Sequence, residues 1–283
     1  MYTLTVERSD GERLTLTQYR SAYQVTYAGF GPVAADVTTA ARGMSNGDKV
    51  ASTRRGKRNA VLTVYVNGNV EQNRIHLYSY FTPGHEVKLY YANGSRDVYT
   101  QGVVESFEDD QFSAPYRVQI SIICPEPFWS GTKEIVKEVS GVVSMFSFPF
   151  SIAEEGVELS SLTGHDYAKI ENEGDEPTGF VIRAYARENV VEPMIYNAIT
   201  SEAFRLTGTL EKNHTLTVNT SDGNKRLTIT APGGIVTNAL YRKKQGSSWL
   251  KLAPGDNYIA YSATEGKENL IVTIRYNNLY VGV

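Results

Sequence analysis

Apolar and polar residues alternate with period two through most of the chain. Leu4 to Val6, Leu14 to Thr17, Tyr23 to Tyr27, Ala60 to Val66, Val87 to Tyr91 and Arg117 to Ile123 all follow this pattern, with Gly, Asn and Asp between the runs. Neighbouring strand residues point to opposite sides of a sheet, so the alternation predicts strands with one buried face. One segment departs from it. Asn69 offers an N-cap, and Ile75, Tyr78 and Phe81 fall near helical spacing before Pro83-Gly84. That spacing predicts a single short helix over roughly Val70 to Phe81. The expected fold class is all-β with one short helix.

Past Cys124 the run Pro125 to Gly131 (PEPFWSG) gathers prolines and bulky aromatics, which interrupts strand pairing and suits a hinge. The second half resumes the strand pattern. Its turn-rich joints are Asn172-Glu173-Gly174-Asp175, Ser221-Asp222-Gly223-Asn224, Pro232-Gly233-Gly234 and Pro254-Gly255-Asp256-Asn257. Short strands at such spacing predict a sandwich. With 283 residues the chain can bury two modest cores, and the expected domains are 1–135 and 136–283.

Composition narrows the function classes. Hydrophobic residues make up 41% and charged residues 21%, as in ordinary globular chains. A net charge of −3 supplies no general attraction to phosphate backbones, so no specific nucleic-acid partner is expected. Nineteen Tyr stand beside 10 Phe and 2 Trp, which suits sheet surfaces and protein interfaces. The single cysteine, Cys124, follows Ile122 and Ile123 and reads as a buried small hydrophobe. No apolar stretch approaches the ~20 residues of a membrane helix, and the start MYTLTVERSDGE lacks a basic region followed by an apolar one. Assembly in a cytoplasm, with no membrane partner, is the expectation.

Several motifs imitate catalytic ones. Gly43 to Gly47 fits G-x-S-x-G around Ser45, but a nucleophile elbow needs a strand before it and a helix after it, and loop-like charged residues follow here. Gly29-Phe30-Gly31 resembles a dinucleotide loop without the helix. His76, His85, His165 and His214 have no metal-ligand spacing, and acidic pairs such as Asp109/Asp110, Glu154/Glu155 and Glu171/Glu173 read as solvated turns. Sequons at Asn93, Asn213 and Asn219 carry no meaning without secretion. The expectation is a protein that is not an enzyme, with no catalytic, cofactor-binding or metal-binding residue.

One charge feature stands out. Between Arg42 and Arg58 lie Arg42, Lys49, Arg54, Arg55, Lys57 and Arg58 against one acid, Asp48. Glu105, Glu108, Asp109 and Asp110 form a segment of opposite sign, expected to be a compact turn. Complementary segments of this kind set register between identical subunits. Taken alone the basic loop reads first as solvated surface, second as an inter-subunit contact and third as a nucleic-acid contact; on the second reading the contacts are Lys49, Arg54, Arg55, Lys57, Arg58, Glu105, Glu108, Asp109 and Asp110.

The order of these features resembles the distal tail protein family of long-tailed phages of Gram-positive hosts and their prophages. The resemblance spans nearly the full length. In the first half it rests on the basic loop before Arg58 to Val66, the helix with Arg74, the Pro83-Gly84 stop, and the strand Arg117 to Cys124 running into Pro125, Pro127, Phe128 and Trp129. In the second half it rests on Asn172 to Pro177, Ile199 to Leu206, Leu216 to Lys225, Ser247 to Asn257 and the closing Ile271 to Val283. It implies a tail-tube-like N-terminal β domain that closes a hexameric ring, and a peripheral galectin-like β-sandwich. The implied partners are a tail tube protein, a tail-associated hub or tail fibre protein and a receptor-binding protein, within the virion tail tip or baseplate. The alternative from the residues is a carbohydrate-binding or receptor-binding module stacking a sugar on Tyr167, Tyr185, Tyr196 or Trp249.

Overall fold

The computed structural model describes residues 2–110, 114–140, 142–144, 160–162 and 167–283. They fall into two compact units, residues 1–132 with 279–283, and residues 133–278. The last five residues thus lie with the first unit, and not with the second as the expected bounds 136–283 have it. The second unit is, in chain order, an insertion between two neighbouring strands of the first.

The first unit begins with β1 (Tyr2–Arg8), β2 (Arg13–Thr17) and β3 (Tyr23–Ala28). β4 (Ala35–Ala41) and β5 (Asp48–Arg55) precede β6 (Arg58–Val66) and helix α1 (Val70–Tyr80). β7 (Glu86–Asn93), β8 (Asp97–Asp110), β9 (Arg117–Cys124) and β10 (Trp129–Gly131) follow. Hydrogen bonding runs β8-β7-β1-β2-β3-β6-β9 and returns from β9 to β8, closing a barrel. β10 adds to β8 and in turn pairs with Leu279–Tyr280. The predicted strands all form, and their alternation is the burial pattern: in β6, Arg58, Ala60, Leu62, Val64 and Val66 are buried while the residues between them are not. Closure leaves the barrel no free edge of its own.

Helix α1 starts where the cap predicts, with Asn69 Oδ1 accepting from the Gln72 N–H at 3.5 Å. It buries Leu77 and Tyr80 against the barrel and stops at Phe81, just before Pro83 and Gly84. Inside the barrel an aromatic cluster joins Tyr27 to Phe30 at 4.2 Å and Phe30 to Trp129 at 5.0 Å between ring centroids. The Tyr27 and Tyr91 hydroxyls lie 3.1 Å apart. Burial, then that hydrogen bond, pushes the Tyr27 phenol well above its ordinary range. Cys124 is fully buried, and burial raises its thiol pKa.

The second unit stacks two antiparallel sheets. One runs Ile135–Glu138, Leu270–Tyr276, Val181–Ala186, Thr215–Asn219, Arg226–Thr230 and Val236–Asn238 in spatial order. The other runs Tyr167–Asn172, Gly255–Ser262, Met194–Asn197 and Ala203–Arg205. Ile182, Val218, Val272, Ile195, Phe204 and Ile259 meet in the core. The predicted turn at Asn172 is held by its own side chain: Nδ2 donates to the carbonyls of Glu176 and Leu252, each at 3.0 Å, and Oδ1 accepts from Gly174 N–H at 2.9 Å.

Candidate functional site

The segment expected to be a basic loop is a two-stranded ribbon. β4 and β5 pair antiparallel from Ala35↔Arg55 to Ala41↔Asp48, with a bulge at Thr38/Thr39, and among the described residues neither pairs with any other strand. Every residue from Ala34 to Arg55 is exposed, and Met44 stands fully in solvent at the tip. An isolated hairpin is marginal in water, because its few cross-strand contacts do not match the entropy of ordering it. Alternation divides its two faces. Ala35, Val37, Ala41 and Val50 share one, and Asp36, Lys49 and Arg54 the other. Ser45 sits in the turn between these two exposed strands, which lacks the buried strand and helix a nucleophile elbow requires.

Of the cations expected at an interface, Lys49, Arg54, Arg55 and Lys57 are exposed. Arg54 lies 3.6 Å from Asp36 across the ribbon, and the Arg55 guanidinium lies over the Phe128 ring at 5.4 Å. Arg58 is different, and its expected surface role is corrected. It is 0% exposed. As the first residue of β6 it falls on the inward phase of the strand. Its Nη1 donates to the carbonyls of Gly29 and Gly31, both at 2.7 Å, and its Nη2 to those of Pro127 at 2.6 Å and Val281 at 3.0 Å. Its guanidinium also lies 5.3 Å from the Trp129 ring centroid, and Trp129 Nε1 donates to Phe30 O at 3.2 Å. A planar fork of donors can gather four carbonyls from three separate loops, which an ammonium cannot do. Burial lowers the Arg58 pKa. Gly29 takes φ +76°, and a Cβ there would stand 1.9 Å from Asn59 O, so the loop reaches Arg58 only with glycine.

The acidic segment is also corrected, from a turn to the end of the 14-residue strand β8, with a bulge between Val104 and Ser106. Its four carboxylates are not equivalent. Glu105 lies 2.8 Å from the Ser121 hydroxyl. Asp109 accepts from Tyr116 at 3.0 Å and Tyr78 at 3.1 Å and lies 3.4 Å from Arg74, which ties β8 to α1. Burial, then that bond to Asp109, raises the Tyr116 pKa. Asp110 pairs with Arg117 at 3.3 Å, with both side chains about half exposed. Glu108 is exposed. Among the described residues Lys49, Arg54 and Lys57 form no ion pair with these acids.

The aromatic residues weighed for sugar stacking are not gathered into one site. Tyr167 and Tyr196 both face Ala260 in the four-stranded sheet, Tyr185 lies in the other sheet, and Trp249 packs against Phe204 at 5.7 Å. Among the described residues no group of His, Cys, Asp or Glu could hold a metal ion. His76 Nδ1 lies 2.8 Å from the Tyr23 hydroxyl, while His165 lies outside the described residues.

Residues 173–280 match the family described as siphovirus-type tail component, C-terminal domain. Over its whole length the chain has the fold of the SPP1 Dit protein, at TM-score 0.65, 16% identity and 99% coverage of both chains. That protein is described as a paradigm of the hub adsorption apparatus in phages infecting Gram-positive bacteria. The phage P2 baseplate in its activated conformation contains a chain similar over 100% of both lengths, at TM-score 0.52 and 9% identity. No curated protein matches the chain by sequence. The resemblance to distal tail proteins read from the sequence is thereby supported in family and in fold.

Proposed function

We propose that this protein is a non-enzymatic structural subunit of a phage tail tip or baseplate that closes a hexameric ring through its first unit. The ring sits between the tail tube protein and a tail-associated hub or fibre protein. The second unit lies at the periphery, where a receptor-binding protein can attach. The subunit is assembled in the host cytoplasm and resides in the virion tail.

The observation that carries this reading is the ribbon Ala35–Arg55, exposed on both faces, whose two strands pair only with each other among the described residues. Ordering its backbone costs about 1–2 kcal/mol per residue, against about 0.2–1 kcal/mol for each favourable cross-strand pair. A neighbouring copy that covers the face with Val37 and Val50 supplies the missing burial. Where the neighbour also reaches round the ribbon to the face of Lys49 and Arg54, these two, with Arg55 and Lys57 at the ribbon's end, meet the neighbour's Glu108 and Asp110, the two acids of β8 least engaged within the chain. Asp109 and Glu105 hold the shape of that acidic surface.

The test is light scattering and negative-stain imaging of wild type beside a variant with residues 36–54 replaced by a short glycine linker. Six-fold rings in wild type and monomers in the variant are expected. A wild type that stays monomeric at every concentration, or rings that survive the deletion, would refute the reading. Replacing Lys49, Arg54, Arg55 and Lys57 by Ser should weaken the ring most clearly at raised ionic strength, since exposed pairs contribute only about 0.2–1 kcal/mol each.

A further inference from the structure

The six-stranded sheet of the second unit ends on Val236–Asn238, a strand exposed along its whole length. Two backbone bonds give its orientation: Ala239 N–H donates to Leu227 O at 3.0 Å, and Ala231 N–H donates to Ile235 O at 2.9 Å. Residues 235, 237 and 239 therefore face the sheet. The N–H and C=O of Val236 and of Asn238 point away from it, in the direction an added strand would occupy. Free edges in native proteins are ordinarily blunted by charge, proline or cover. Here no Asp, Glu, Lys or Arg occurs from Leu227 to Tyr241. Apolar side chains instead stand in water around the edge: Ile235 is 67% exposed, Val236 61%, Leu240 46% and Tyr241 84%.

The flanks of this uncharged stretch are cationic. Lys225 and Arg226 precede it, Arg242, Lys243 and Lys244 follow it, and residues 223–255 hold no acid at all. Asp222 serves Lys225 and Lys251, and Glu192 serves Lys244. Among the described residues Arg226, Arg242 and Lys243 are paired with no carboxylate. Arg242 donates to the carbonyls of Thr207 and Thr209, and Lys243 to that of Ser247, so their charge is positioned but not neutralised.

We propose that Val236–Asn238 is an acceptor edge for an extended, acidic segment of another protein, which adds as a seventh strand to this sheet. Its backbone bonds to Val236 and Asn238, its apolar side chains cover Ile235 and Tyr241, and its carboxylates meet Arg226, Arg242 and Lys243. Main-chain bonds of this kind supply affinity, while the flanking charges select the partner. The proposal goes beyond the ring reading, because it concerns the second unit alone and stands whether or not a ring forms.

The experiment is fluorescence anisotropy of a labelled decapeptide alternating glutamate and valine, titrated with the full chain, beside a decapeptide alternating lysine and valine. Wild type is expected to bind the glutamate peptide at least tenfold more tightly than the lysine peptide. Val236→Pro removes an outward N–H without removing a bond of the sheet, and should weaken binding at least tenfold. Tyr241→Ser, which leaves the backbone untouched, should also weaken it, so the proposal stays testable if the proline disturbs the fold. No binding by wild type, no preference for the acidic peptide, or unchanged binding in both variants overturns it. Concentration-dependent self-association that disappears in Val236→Pro also overturns it, by assigning the edge to a second copy.

Discussion

Replacing Arg58 by Met keeps the length and apolar body of the side chain and removes its charge and donors. Four carbonyls, those of Gly29, Gly31, Pro127 and Val281, lose a partner at once. Hydrogen bonds to charged groups contribute about 1.5–3 kcal/mol each, but the variant also avoids desolvating a guanidinium, which costs several kcal/mol. Losing one side of a buried charged network typically costs about 3–5 kcal/mol, and the same range is expected here. For a unit of this size that is a fall in Tm of roughly 10 °C or more. The assay is intrinsic fluorescence on heating. The two tryptophans divide between the units, with Trp129 beside Arg58 and Trp249 in the second unit. In a Trp249→Phe background the early loss should be read by Trp129. Arg58→Lys should fall between the two, because one ammonium cannot span four carbonyls. An Arg58→Met protein melting within ~1 °C of wild type would refute the structural role of the cradle.

Three further outcomes follow from the same unit. Deleting residues 279–283 removes the strand paired with β10 and one of the carbonyls of Arg58, and its cost should be less than additive with Arg58→Met in a double-mutant cycle followed by denaturant titration. Gly29→Ala places a side chain at φ +76° against Asn59 O and should cost roughly 2 kcal/mol or more, measured in the same titration. Burial raises the pKa of Tyr2, Tyr23 and Tyr27 above the ordinary 10.0, so the folded state holds their protons longer than the unfolded state. Their contribution is then complete below pH 10 and is lost as pH rises through the folded values. Denaturant titrations at pH 9 and pH 11 should show lower stability at pH 11.

Much of this protein is local in origin. Period-two alternation determined which stretches became strands, because a closed barrel and a stacked sandwich both bury every second residue. Asn69 and Pro83-Gly84 determined the ends of the one helix, since a cap and a stop act within a turn. Tertiary structure decided what depends on distant partners. Arg58 reads as one of six cations in a polar loop, and only the approach of Gly29, Pro127 and Val281 reveals that it begins an inward-facing strand. The acidic stretch Glu105 to Asp110 reads as a turn because its charges mask the strand, yet pairing with β9 carries it on. Residues 279–283 look like the tail of the second unit, and pairing across 150 positions with Trp129 and Ser130 returns them to the first. Exposure of the ribbon and of the edge at Val236 is likewise invisible in sequence, since an unpaired strand has the same alternation as a paired one and differs only in what the rest of the fold leaves beside it.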